Sequence, residues 1–349
     1  MKIYYKFWLI LSLFICSNAS FASVSERYEY VQTKTINRVF NVNEEANLIV
    51  NNKYGNIKVE HWNKHQIAFE VTIEVSSRDQ KVAASRLQSI DVKFNSSSNE
   101  VSASTELKSE RGKKISIEIH YLVKIPKNAK VQLYNLFGDI IGNTFYNETF
   151  ISAKYGNIRL GNLKHKTNRI LMQYSTNSSI NSINEAVINA SYSTLNLENA
   201  NNINMVFKYS DAVMHRVENL ALEMHYGNLN LNQVNSVIIT GNYSNHVLGS
   251  VKKLLSFSGN YGTMKLNKLL AGFDELVLKC NYYNASIGID NNASFAFVSS
   301  SNYGDVTLPN GLQLSSSNHA RNSHSYAGSK GIGGGSIALS FTYGNIKFN

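Results

Sequence analysis

Along most of the chain, apolar and polar residues alternate for a few positions, meet an aromatic, and give way to Gly or Ser followed by Asn, Asp or Thr. The phrase reads Val-Asn-Asn-Lys-Tyr-Gly-Asn-Ile at 50–57 and Ile-Ser-Ala-Lys-Tyr-Gly-Asn-Ile at 151–158, and it returns at Tyr343-Gly344-Asn345-Ile346. With the aromatic as anchor, the copies fall at Phe137, Tyr155, Tyr174, Tyr192, Tyr209, Tyr226, Tyr243, Tyr261, Tyr282, Tyr303 and Tyr343, with an outlying one at Tyr54. Successive anchors from Phe137 to Tyr303 are 17–21 residues apart, and the last gap is 40. Four positions before most anchors sits a large apolar residue, such as Ile151, Ile170 or Leu222, and two before sits another apolar or small one, such as Ala153, Met172 or Met224. A period of two marks a strand with one buried face.

After the anchor, Gly tolerates unusual backbone angles and Asn, Asp or Thr bonds back to the chain, so a bend is predicted. A second short strand follows, with apolar residues five past the anchor at Leu160, Leu197, Met214, Leu231, Leu248 and Leu266. A unit of this length cannot hold a crossover helix, and it is shorter than a propeller blade of about 40 residues. The expected fold is therefore all-β: a single-stranded parallel β-helix with turns of about 17–21 residues, right-handed by the crossover rule. Equivalent residues would stack into ladders. The aromatic anchors share the parity of the inward residues, which assigns them to the core or a corner rather than to a sugar-stacking platform.

The first copy, Leu48–Trp62, reads as the first turn, preceded by N-terminal strands from residue 23. The pattern then lapses across 63–130 and resumes over 131–349. Within the lapse, Ile67–Val75, Asp91–Phe94, Glu100–Leu107 and Lys114–Ile125 read as strands, and Asp79–Ser89 as one short helix with Ser77 as its cap. This excursion is the expected antiparallel, β-rich N-terminal cap, since an open end exposes core and strand edges. The surplus in the last gap, 315–336, is rich in Ser and Gly and carries His319, Arg321, His324 and Lys330; it reads as a long loop, or as a flap over the last turns.

Residues 1–22 carry the signature of a secretion signal: Lys2 and Lys6, the apolar run Phe7–Ile15, and small residues up to Ala22. Cys16 follows Ile15, which disfavours lipid attachment there. No later run is apolar enough to span a bilayer as a helix. The expected location is exported: periplasm, outer-membrane surface or beyond. Loss of the signal leaves Cys280 alone, in an inward column, and excludes an internal disulfide. Lys and Arg number 34 against 24 acids; without Lys2 and Lys6 the net charge is +8, which suits an acidic glycan or an envelope component. No clustered basic run points to nucleic acid.

Chemistry is sparse. Asp139, Asp211 and Asp305 share the column two past the anchor but lie on separated turns, so they read as bend caps rather than as a carboxyl pair. The column just before the anchor runs Lys208, His225, Asn242, Asn260, Asn281 and Asn302, facing outward; Lys208, His225, Asn242, Asn260 and Asn281 are the candidate binding groove, with a plain solvated face as the alternative. His215 and His246 have no matching partner on adjoining turns. No metal motif, phosphate loop or cofactor signature is present, so neither metal nor cofactor is expected.

Leu48–Trp62, the excursion ending Tyr121-Leu-Val-Lys-Ile-Pro126, and the later Tyr-Gly-Asn-Ile copies resemble a bacterial family of exported β-solenoid proteins of unknown function, described as putative adhesins and common in the Bacteroidetes. The resemblance covers nearly the whole chain beyond residue 22. It implies a β-helix and an envelope or secreted location, and it supplies no catalytic residue. The resulting expectation is a non-enzymatic, adhesin-like binding or structural element. The alternative is a carbohydrate-active lyase or hydrolase acting on an acidic glycan, and a self-assembling filament is a third reading.

Overall fold

The computed structural model describes residues 30–108 and 114–349; the expected signal segment 1–22, with Cys16, lies outside the described residues. The described chain is all-β, with one helix and 20 strands joined in a single mixed sheet.

The N-terminal part holds β1 (Tyr30–Asn41), β2 (Asn47–Lys53), β3 (Ile57–Trp62), β4 (Gln66–Ser77), α1 (Gln80–Gln88), β5 (Ile90–Ser96), β6 (Glu100–Leu107) and β7 (Ile115–Pro126). β2 and β3 carry the first copy of the repeat. The excursion covers one edge of each: β6 lies parallel to β2, and β7 parallel to β3. β4 pairs antiparallel with β7 and β1 with β4, while β5 pairs antiparallel with β6. Helix α1 packs on β4 and β1. Its cap is Asp79 rather than Ser77: the Asp79 carboxylate accepts the Lys81 and Val82 amides at 2.8 and 3.2 Å. A carboxylate suits the positive end of the helix better than a hydroxyl does.

The repeats follow as β8 (Lys130–Leu136), β9 (Ile140–Phe145), β10 (Thr149–Lys154), β11 (Ile158–Leu163), β12 (Asn168–Gln173), β13 (Ser178–Ser191), β14 (Thr194–Lys208), β15 (Asp211–Leu269) and β16 (Glu275–Ile289). They form two running parallel ladders. Segments before the anchors pair with one another, so that Ile151 lies opposite Leu133 and Ile170. Segments after the anchors do the same, with Leu160 opposite Ile180. At most anchors the residues four and two before, and three and five after, are buried; past Tyr174 the buried positions are Ser178 and Ile180 instead. Each fully buried Leu or Ile contributes about 1.5–3 kcal/mol, and the ladders repeat that contribution along the chain.

Three expectations are corrected at the C-terminal end and at the anchors. Residues 315–336 are not a long loop: β18 (Gln313–His319) and β19 (Ser323–Lys330) form an antiparallel hairpin, which follows β17 (Phe295–Thr307). β19 pairs antiparallel with β17 from Phe295–Lys330 to Asn302–Ser323, so the hairpin covers the outer edge of β17. The last strand, β20 (Gly335–Phe348), lies between β16 and β17, parallel to both. Tyr282 therefore neighbours Tyr343, and Tyr303 comes after it. Asn281 likewise faces Thr342, which separates it from Asn302.

The third correction concerns the anchors. All twelve have positive φ, from 50° to 66°, and are the only non-glycine residues in that region among those described. A left-handed residue breaks the alternation, so the anchor turns outward although its parity points in. The twelve rings are 36–55% exposed. The next residue turns in instead, as buried Ser175, Ser193, Ser210 and Ser244, as Gly, or after Tyr282 as the buried Tyr283. Gly156 is needed there because a Cβ would stand 1.9 Å from the Gly138 carbonyl oxygen.

Candidate functional site

The stacked anchors form an outer rib. Neighbouring rings lie 4.7–5.3 Å apart and within 12° of parallel, from Tyr54 through Phe137 to Tyr343 and Tyr303. Each inner ring has both faces covered by its neighbours, leaving edges and hydroxyls to solvent. Sugar stacking on an open face is thus available only at the two ends of the rib. Lys53 already sits over the ring at one end, its Nζ 5.2 Å from the Tyr54 centroid. A left-handed L-residue costs roughly 1–2 kcal/mol. Each stacked pair returns about 0.5–1.5 kcal/mol. The rib therefore offsets the strain of its own bends.

In the column two past the anchors, the carboxylates of Asp139 and Asp211 cap the bends, and that of Asp305 does not. Asp139 Oδ1 accepts the Asn157 amide and Asp211 Oδ1 the Asn228 amide, both at 2.8 Å. Asp139 also meets the Arg159 guanidinium. Asp305 instead uses its own amide, donated to Asn345 Oδ1 at 3.3 Å.

The column before the anchors places Lys208 opposite His225 and Asn260 opposite Asn281. Asn260 Nδ2 donates to Asn242 Oδ1 at 2.9 Å, and Asn281 Nδ2 to Asn260 Oδ1 at 2.8 Å. These three amides line a shallow groove of about 360 Å³ with Thr240, Ser258, Lys279, Ser340 and Thr342. Each amide retains polar capacity beyond its ladder bond. Lys208 and His225 continue the column but do not line this groove. His225 Nε2 pairs with Glu223 Oε1 at 3.0 Å.

The groove floor is thin because Gly241 and Gly259 replace larger inward residues; a Cβ on Gly241 would fall 2.6 Å from Ser244 Oγ and 3.0 Å from His246 Cε1. Beneath it lies a buried polar cluster. His246 Nδ1 is 2.8 Å from the Tyr283 hydroxyl, which donates to the Thr263 carbonyl at 2.8 Å. Burial lowers the His246 pKa to about 4 and pushes the Cys280 thiol up to about 12. Burial also raises the Tyr283 phenol. Cys280 is a buried, protonated core residue.

A second concavity, of about 650 Å³, is lined by Lys58, Glu60, His61, Lys127 and Tyr146 among others. Lys127 Nζ stands 4.7 Å from the Tyr146 centroid. Sequence reading missed it because its residues come from β3, from β9 and from the turns at Lys127 and Tyr146, far apart in the chain, and fall outside the anchor columns. Among the described residues, no group of three or more His, Cys, Asp or Glu converges to hold a metal ion. No described helix is long and apolar enough to cross a membrane.

No protein-family model matches the sequence, and no curated protein does. Solved structures are similar at low identity. A putative adhesin from Parabacteroides distasonis ATCC 8503 shares 7% identity over 90% of this chain and 97% of its own, with a TM-score of 0.39. A putative adhesin from Parabacteroides merdae ATCC 43184 shares 6% over 90% and 96%, with a TM-score of 0.38. A protein from Parabacteroides distasonis ATCC 8503 described as a putative lipid binding protein shares 8% over 90% and 96%, with a TM-score of 0.32.

Proposed function

We propose that the chain is an exported, non-enzymatic, single-stranded parallel β-helix that serves as an adhesin-like binding element of the cell envelope. The observation that carries this reading is the groove where Asn242, Asn260 and Asn281 align beside Lys279, Ser258 and Thr240 on an outer face. Aligned amides and hydroxyls suit a polyhydroxyl chain, and Lys279 suits acid groups on it. A groove this shallow holds a segment of a polymer rather than enclosing a small molecule. The parallel ladders supply the rigid backing that keeps the amides in line.

The test is binding of the protein to a panel of neutral and acidic glycans at two salt concentrations. Acidic glycans should bind more weakly at high salt, and Asn260→Leu and Lys279→Ala should each weaken binding about tenfold. Equal binding by both variants and wild type would remove the groove from the proposal. The His225–Glu223 pair beside Lys208 favours one second reading, an acidic-glycan lyase. Turnover by wild type that disappears in His225→Ala would establish it, and no turnover by wild type would dismiss it.

A further inference from the structure

The tip of the β18–β19 hairpin brings two histidines face to face. His319 and His324 are cross-strand partners, and their Nδ1 atoms are 3.0 Å apart. The other nitrogen of each ring faces a polar group. His319 Nε2 lies 3.0 Å from Ser317 Oγ, and His324 Nε2 lies 3.6 Å from Asp305 Oδ1, across the sheet on β17. The Asp305 carboxylate, acceptor-only when ionised, stands close enough to favour a proton on the Nε2 side of His324 over its Nδ1 side. Ser317 Oγ can donate to His319 Nε2 or accept from it, so it holds the ring in place whichever nitrogen carries the proton. At 3.0 Å the two Nδ1 atoms can share one proton in an N–H···N contact, and a metal ion that displaces that proton meets both lone pairs converging on it. An imidazole whose far nitrogen is held by a carboxylate or hydroxyl is the usual disposition of a metal-ligating histidine.

We propose that His319 and His324 form a two-nitrogen site for a divalent transition metal ion, with Asp305 and Ser317 as positioning residues. Nitrogens 3.0 Å apart, each about 2.0–2.1 Å from an ion, subtend roughly 90–100° at it. That is closer to the right angle of a tetragonal centre than to a tetrahedron, and it favours Cu²⁺ over Zn²⁺. Both rings reach solvent at the hairpin tip, so water or an outside ligand fills the remaining positions. Bound there, the ion ties β18 to β19 and fastens the hairpin over the edge of β17.

The experiment titrates untagged protein with CuCl₂, following heat and electron paramagnetic resonance. One ion per chain with two coupled nitrogens is expected, together with a higher melting temperature. His319→Gln and His324→Gln should each lower affinity at least tenfold with unchanged circular dichroism. Asp305→Asn should lower it about tenfold. His215→Gln, on an exposed histidine remote from the hairpin, should have no effect. Copper binding that survives in the His319→Gln, His324→Gln double variant, or a wild type that binds no copper, would overturn the proposal.

Discussion

A tyrosine in the left-handed region is the unit on which the repeat turns. Tyr209 has φ of 50° and stacks on Tyr192 at 5.0 Å and on Tyr226 at 4.9 Å. Glycine in its place relieves strain but loses both stacks, whereas alanine loses the stacks and keeps the strain. Tyr209→Ala should therefore cost about 2 kcal/mol, and Tyr209→Gly about 1 kcal/mol less, by urea denaturation. An alanine variant as stable as the glycine one would show that φ is not what the position selects. The second residue-scale prediction concerns His246. Its folded pKa, about 4, lies below the 6.5 of a free imidazole. The unfolded chain gains the proton as pH falls below 6.5, while the folded chain resists until about 4. Stability is thus intact above pH 6.5 and drains away across that window, by about 3 kcal/mol at its foot. His246→Leu should remove this component, so that the gap between wild type and variant narrows from pH 7.5 to pH 4.5. The anchor positions were plain in the sequence. Their outward turn was not, because a bulky L-residue at positive φ is rare and alternation alone assigns it inward.

At the scale of elements, most strands announced themselves by alternation, including β6 with its bounds intact and the excursion strands that flank β2 and β3. The hairpin β18–β19 did not. Its Ser, Gly and His residues leave β18 exposed throughout, with no buried face to give a period of two. That absence is itself functional: a polar outermost strand is a poor template for pairing with another chain. β17 beneath it is different, with Phe295 and Phe297 buried along a backbone that β19 pairs from residue 295 to 302. Replacing residues 313–330 by a short Gly-Ser linker should expose that edge and convert the protein to larger species by light scattering. A variant that keeps the wild-type mass at every concentration would show that the edge needs no cover.

For the whole molecule, the decisive feature is that the last strand is an interior one. Copies of one repeat carry no mark of their neighbours, so the sequence order 282, 303, 343 was the natural spatial order to expect. The structure has β20 between β16 and β17, where it supplies a partner to each and places Phe341 and Ile346 in the core. Phe341 faces Cys280 on one side and Ser301 on the other. Among the described residues, β17 is joined to the rest of the sheet by its pairing with β20, since the hairpin strands pair with β17 and each other; β16 keeps β15 on its far side. Removing residues 335–349 should therefore release a block rather than fray an end. Limited proteolysis of that truncation should cut throughout 290–330 while the ladders up to residue 289 remain protected, because each parallel segment depends chiefly on its adjacent neighbours. Retained protection of 295–302 would mean that β17 can dock directly on β16, and that the interior position of β20 is dispensable.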